Sequence, residues 1–214
     1  MKDTRTKILR TAARLFAKKG FSGTSVRDIV SAAGENVSAV NYHFGSKQKL
    51  YQATLEYLVN SFRKRISNGQ TNTLSAKEIQ ALSYPQALGR LHQVLDTLIE
   101  QGFRREHLPL ERIFTQVELE SASMRKMLLS YMIPFQERPL ALMQKLTGLA
   151  PKSPELVLVT HAIFSQVSLT ECHRLAMSHI LGNFNHQPAL RKKVKQTIWN
   201  NTLAILNSYQ QGKK

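Results

Sequence analysis

Apolar residues recur along this chain at steps of three and four, and no segment alternates with period two, so the pattern predicts helices throughout. The first spans about residues 4–19: Ile8, Leu9, Ala12, Ala13, Leu15 and Phe16 form one stripe, with Lys2, Arg5, Lys7, Arg10, Arg14 and Lys18 mostly off it. Gly20 ends it, and Phe21 is expected to pack beneath. Two short helices follow within residues 24–47. A hydroxyl cap at Thr24 or Ser25 opens the first, whose Val26, Ile29, Val30 and Ala33 share a face until Gly34 stops it. Asn36 caps the second, in which Val37, Val40 and Phe44 point inward together. At about 100° per residue this leaves Ser38, Ala39, Tyr42 and His43 facing outward, with Asn41 at the edge. Gly45 then permits a turn, Ser46 caps, and a helix over 47–66 buries Leu50, Tyr51, Leu55, Leu58, Val59 and Phe62.

The stretch 68–83 is polar and reads as a linker, so the domain boundary falls at its start: residues 1–67 form one domain and 84–214 the other. Pro85 opens a helix through Gly102 with Leu88, Leu91, Val94, Leu95, Leu98 and Ile99 at helical spacing. Another is expected over 109–121, carrying Leu110, Ile113, Phe114, Val117 and Glu118. A turn or two follows over 124–129, and Pro134 interrupts before a helix that reaches Thr147, started late or kinked by Pro139. Residues 154–181 then form one long stretch with Leu156, Val159, Ile163, Val167, Ala176 and Ile180 near one side. After a turn over 182–188, residues 189–211 form the last helix, with Leu190, Val194, Ile198, Leu203, Ile205 and Leu206. These last two stretches are apolar over more than one face and ask for more partner surface than one small domain offers.

Length and charge sharpen this. The chain has 214 residues, 42% of them hydrophobic, enough for a sizeable core. Its net charge of +16 implies a polyanionic partner or an anionic surface, and charge alone does not say which. Residues 1–67 carry 13 Lys and Arg against 4 Asp and Glu, and residues 68–214 carry 17 against 10, so the basic excess is concentrated around the two short helices. A short outward face, small at its start, rich in hydrogen-bonding groups and free of acid, suits a recognition helix, which reads base edges in the major groove while its neighbours grip phosphate. Lys47, at the positive end of its helix dipole, makes an anion site for such a phosphate.

Other chemistry finds little support. No run approaches 18 apolar residues, and MKDTRTKILR lacks the apolar core of a signal peptide, so the expectation is a cytoplasmic protein that neither crosses nor enters a membrane. The single Cys172 cannot build a multi-thiolate site, and His173 and His179 fall on different helix faces, so no metal and no cofactor is expected. Without GxSxG, a P-loop or GxGxxG, the chain does not read as an enzyme.

The run AVNYHFGSKQKLY, from Ala39 to Tyr51, resembles the signature of the TetR family of bacterial transcriptional regulators and sits where that family has it, after an N-terminal amphipathic helix. One position departs: Glu35 stands where the family usually has a small apolar residue. Residues 110–182 are similar, more weakly, to the CecR-like subgroup. The resemblance implies an all-α protein with an N-terminal three-helix helix-turn-helix domain and a larger helical ligand-binding and dimerisation domain. It implies a homodimer held by the two C-terminal helices, a palindromic double-stranded DNA operator, and repression relieved by a small effector. The candidate DNA-contacting set is Thr24, Ser25, Asn36, Ser38, Ala39, Asn41, Tyr42, His43 and Lys47. For the effector, expected to be small and largely apolar, Phe114, Met124, Met127, Tyr131 and Phe164 with Glu118 are either core or the lining of a cavity left by the proline breaks. The rival readings are a DNA-organising protein that needs no ligand, which would protect many sites rather than one palindrome, and an enzyme on a helical scaffold.

Overall fold

A computed structural model describes residues 2–67, 74–103, 112–113, 121–170, 174–182 and 187–211, and among them every regular element is helical. Helix α1 (Lys2–Lys19) starts slightly before its expected first residue and buries Ile8, Leu9, Ala12, Ala13 and Phe16. Helices α2 (Val26–Ala33) and α3 (Val37–Phe44) are eight residues each, too short to persist on propensity, so their ends matter. Ser25 and Asp28 form a reciprocal capping box at the start of α2, and Gly34 closes it in the left-handed conformation with φ 61°. The Asn36 side chain accepts from the Ala39 N–H at 2.8 Å to open α3, and the Gly45 N–H returns to Val40 and Asn41 at its end.

Helix α1 packs on both α2 and α3. Helix α4 (Lys47–Ser67) adds Leu50, Tyr51, Leu55, Leu58 and Val59 to the buried set. Tyr51 meets Phe16 edge-on at 4.8 Å and Phe21 at 5.2 Å, which is the packing expected of Phe21. Val37, expected inside, is 41% exposed at the first position of its short helix.

The chain divides into two compact units, Met1–Arg65 with Glu106–Pro134, and Ile66–Arg105 with Phe135–Lys214. The second unit begins with α5 (Ala76–Ala81) and α6 (Tyr84–Gly102), each opened by a serine capping box, with Pro85 in the first turn of α6 as its fixed φ allows. Its core gathers Leu91, Leu95 and Ile99 of α6 with residues of four later elements.

Two expectations about where helices break are corrected in this region. Residues expected to form separate pieces around Pro134 are one 26-residue helix, α7 (Ala122–Thr147). Each interior proline removes one backbone donor at about 3 kcal/mol, and the burial of Leu142, Met143 and Leu146 offsets that at about 1.5–3 kcal/mol per side chain. Conversely, the stretch expected to run unbroken from Pro154 is α8 (Pro154–Phe164), a 3₁₀ segment (Ser165–Thr170) and α9 (Arg174–Leu181). Serine hydroxyls offer the backbone other partners there, as Ser165 does by donating to the Ala162 carbonyl at 3.4 Å. Buried Val167 docks the 3₁₀ segment on the core, whereas Ile180 beyond it is 74% exposed.

Helix α10 (Pro188–Gln211) places Ile198 and Leu206 in the core, while Lys192, Lys193, Gln196, Asn200 and Asn207 face outward, so it is apolar on one side only. Lys195 fixes it to α6 through Glu100 at 3.0 Å and Asp96 at 3.3 Å. Trp199 lies against His92 with ring centroids 4.3 Å apart, and Gln210 donates to the Leu146 carbonyl of α7 at 2.8 Å. The helix expected over 109–121 falls almost wholly outside the described residues. No described helix is long and apolar enough to cross a membrane.

Candidate nucleic-acid interface

The outer face of α3 is built by its two ends. With Val40 and Phe44 drawn inward and the caps holding the helix in place, Ser38, Asn41 and Tyr42 are left exposed, Tyr42 by 74%. Ala39 and His43 are half-buried. The Tyr42 ring stands edge-on to His43 at 5.0 Å, so it is braced along the helix and its hydroxyl projects outward from a fixed base. Ser38 and Asn41 offer short donors and acceptors of the kind that reach base edges.

Three other predicted residues have structural duties. Asn36 uses its side-chain oxygen in the cap of α3. The Ser25 hydroxyl donates to the Asp28 carboxylate at 2.8 Å and accepts the Asp28 N–H at 3.0 Å. Thr24 does not lie on the outer face at all: it is 1% exposed, and its hydroxyl donates to the Gly20 carbonyl at 2.8 Å and the Leu15 carbonyl at 3.3 Å, tying the end of α1 to the start of α2.

Lys47 opens α4, behind Ser46, whose hydroxyl accepts the Lys49 N–H at 3.2 Å. The Lys47 ammonium sits 4.3 Å from the centroid of the Phe21 ring. The aromatic face positions the cation and leaves its charge in place.

Cations gather around this helix, and the acids among them are engaged. Arg5 lies 5.4 Å over Phe44, and Arg10 donates to the Tyr57 hydroxyl at 3.2 Å. Hydrogen bonds from the Ser25 N–H and hydroxyl hold the Asp28 carboxyl below its ordinary 3.8 and keep it charged. Glu56 accepts the Tyr131 hydroxyl at 2.5 Å, and burial followed by that bond raises the tyrosine's pKa. Glu35, the family departure, meets Lys7 at 3.4 Å. The sequence marks Arg5, Lys7 and Arg10 only as lying off an apolar stripe; their partners are 28 to 47 positions away and carry no local signal.

The six pocket candidates divide. Phe114 and Glu118 lie outside the described residues. Met124 is buried, Met127 and Tyr131 are half-buried, and all three belong to the first unit; half-buried Phe164 belongs to the second. In the first unit an open groove of about 240 Å³ runs between Arg5 of α1 and the Ala53, Glu56, Tyr57, Asn60, Ser61 and Lys64 face of α4, and none of the four described candidates is among these residues.

Two family models match the chain: bacterial regulatory proteins of the tetR family over residues 8–54, and the C-terminal domain of the HTH-type transcriptional dual regulator CecR over residues 87–208. The probable HTH-type transcriptional regulator YttP of Bacillus subtilis is 34% identical over 61% of this chain and 58% of its own length. The HTH-type transcriptional repressor NicS of Pseudomonas putida is 39% identical over 28% of this chain and 29% of its own. The chain thus covers less than two thirds of the length of either relative. A TetR family transcription regulator fold from Shewanella sp. PV-4 superposes with a TM-score of 0.61 at 19% identity, covering 92% of this chain and 97% of that one. The structure of AibR in complex with isovaleryl coenzyme A and operator DNA superposes with a TM-score of 0.59 at 16% identity, over 78% of this chain and 85% of that one. At such identities the likeness is one of fold.

Proposed function

The chain belongs to the TetR family of bacterial regulatory proteins, and from that premise we propose that it is a homodimeric, sequence-specific DNA-binding transcriptional repressor released from a palindromic operator by a small, largely apolar effector. One observation carries the DNA part: an end-capped α3 that presents Ser38, Asn41 and Tyr42 to solvent on a cationic, acid-poor surface. In this reading residues 1–67 hold the operator, Ser38, Ala39 and Asn41 read base edges, and Tyr42 and Lys47 grip phosphate.

Selecting duplexes from a random pool with the wild-type protein tests it. The pool is expected to converge on one palindrome, and Asn41→Ala or Ser38→Ala to lose about 1–3 kcal/mol at one base position. Lys47→Ala weakens binding to all sequences alike and lowers the slope of log affinity against log salt by about 0.9. A pool that never converges contradicts the reading and favours a DNA-organising protein.

The effector is assigned to residues 84–214, the span that contains each candidate residue named for it, Phe114, Glu118, Met124, Met127, Tyr131 and Phe164. The match to a CecR-type C-terminal domain over 87–208 supports this. A tenfold loss of operator affinity requires the effector to favour the non-binding conformation by about 1.4 kcal/mol, and operator must then weaken effector binding by the same factor. Equal dissociation constants with and without operator remove the effector role.

The dimer is assigned to the surface of residues 154–181 and α10, where Leu158 and Ile180 are 69% and 74% exposed. Ile198, at 2% exposure, belongs to the core of its own unit, so charges at Val194 and Ile198 test folding instead. Leu158→Glu with Ile180→Glu is expected to sediment as a folded monomer.

A further inference from the structure

Glu35 stands two residues before α3; its side chain is 20% exposed, and its carboxylate lies 3.4 Å from the ammonium of Lys7, whose side chain is 51% exposed. The pair joins α1 to the α2–α3 turn. The Lys7 nitrogen also lies 3.7 Å from where a Cβ would stand on Gly34, so it rests against the turn that leads into α3. A half-exposed lysine beside this turn is a cation open to a phosphate that approaches the turn. While Glu35 holds it, that positive charge is partly offset.

We propose that Glu35 withholds Lys7 from DNA phosphate and thereby limits the sequence-independent part of the affinity; this rests on the DNA-binding reading above. Affinity from phosphate contacts is the same for every sequence, so each cation offered to the backbone raises specific and non-specific binding together. A chain with a large basic excess binds any duplex unless part of that charge is masked. The pair also has a structural side, since an acid before α3 favours its positive end. The salt dependence of binding separates the two roles, because a purely structural acid alters affinity or melting temperature without adding a phosphate contact.

The probes are a fixed duplex never enriched by selection and the palindrome selected by wild type, titrated across salt with wild type, Glu35→Gln, Lys7→Ala and the double variant. Glu35→Gln is expected to bind the unselected duplex about three- to tenfold more tightly at low salt and to steepen the salt slope by about 0.9, the value for one added phosphate contact. Affinity for the selected palindrome rises by the same factor, so the ratio between the two duplexes stays unchanged. In the Lys7→Ala background the same substitution leaves the slope unchanged. The proposal is overturned if Glu35→Gln does not steepen the slope, or steepens it equally without Lys7. A wild-type protein that binds neither duplex removes the DNA-binding reading and the proposal with it, whereas selective wild-type binding with an unmoved slope removes the proposal alone.

Discussion

Helices α3 and α7 keep their shape for opposite reasons. Eight-residue α3 is defined at both ends by its own neighbours: the Asn36 side chain accepts the Ala39 N–H, and the Gly45 N–H folds back on the Val40 and Asn41 carbonyls. Twenty-six-residue α7 has two prolines inside it, which local rules treat as stops, and it persists because Leu142, Met143 and Leu146 are locked into a core with α6, α8 and α10. Where chemistry within four residues closes an element, its bounds can be read from the chain; where packing holds it, they cannot. For function, α3 must be placed accurately with few contacts of its own, and caps do that without covering the outer face.

Four substitutions or titrations sharpen or break this contrast. The largest effect is expected in α7: Leu142→Ala, at 3% exposure, costs about 2–5 kcal/mol in urea unfolding. Next, Pro139→Ala raises stability by about 2 kcal/mol, the helix-interior cost of proline less the unfolded-state entropy it supplies. No gain would mean that the helix ends near that residue in solution and that packing does not override proline here. Smaller again, Ser25→Ala or Asn36→Ala loses about 1 kcal/mol. Either variant also weakens operator binding, because Ser25 and Asn36 hold the starts of α2 and α3. A cap variant with full operator affinity would break the link between helix ends and function.

The smallest effect is a dependence on pH. Asp28 and Glu78 are each held below their ordinary values of 3.8 and 4.5, chiefly by the N–H of the capping serine and then by its hydroxyl. A carboxyl with a lowered folded pKa stabilises the fold above its unfolded value and loses that contribution as pH falls through the folded one. Melting temperature is therefore expected to fall between about pH 5 and pH 2. Asp28→Asn flattens that slope, and an unaltered slope would place the titrating group elsewhere.

The same division runs through what could be read from the sequence. The stripes of α1 and α4, the caps at Ser25 and Asn36, the stop at Gly34 and the opening of α6 at Pro85 all rest on neighbours within a turn. Most of the outward face of α3 followed from them. Thr24 was misplaced because a hydroxyl before a helix reads the same whether it caps α2 or turns inward to Gly20 and Leu15, and only the packed end of α1 distinguishes these. Val37 and Ile180 have apolar character and helical spacing, yet both are exposed, since periodicity gives a face and not what covers it. The seat of Lys47 on Phe21 and the grip of Glu35 on Lys7 join positions far apart in the chain, and no spacing rule connects them.

The central claim is that α3, placed by its caps, is the surface that meets DNA. Amide hydrogen exchange of the full chain with and without its selected duplex tests this most directly, because it reports each segment without altering a residue. Exchange is expected to slow over residues 36–47, from the cap of α3 through Lys47, and to do so with the selected duplex more than with an unselected one of equal length. Unchanged exchange over 36–47 while the duplex is bound, with protection appearing only on other helices, would contradict the account.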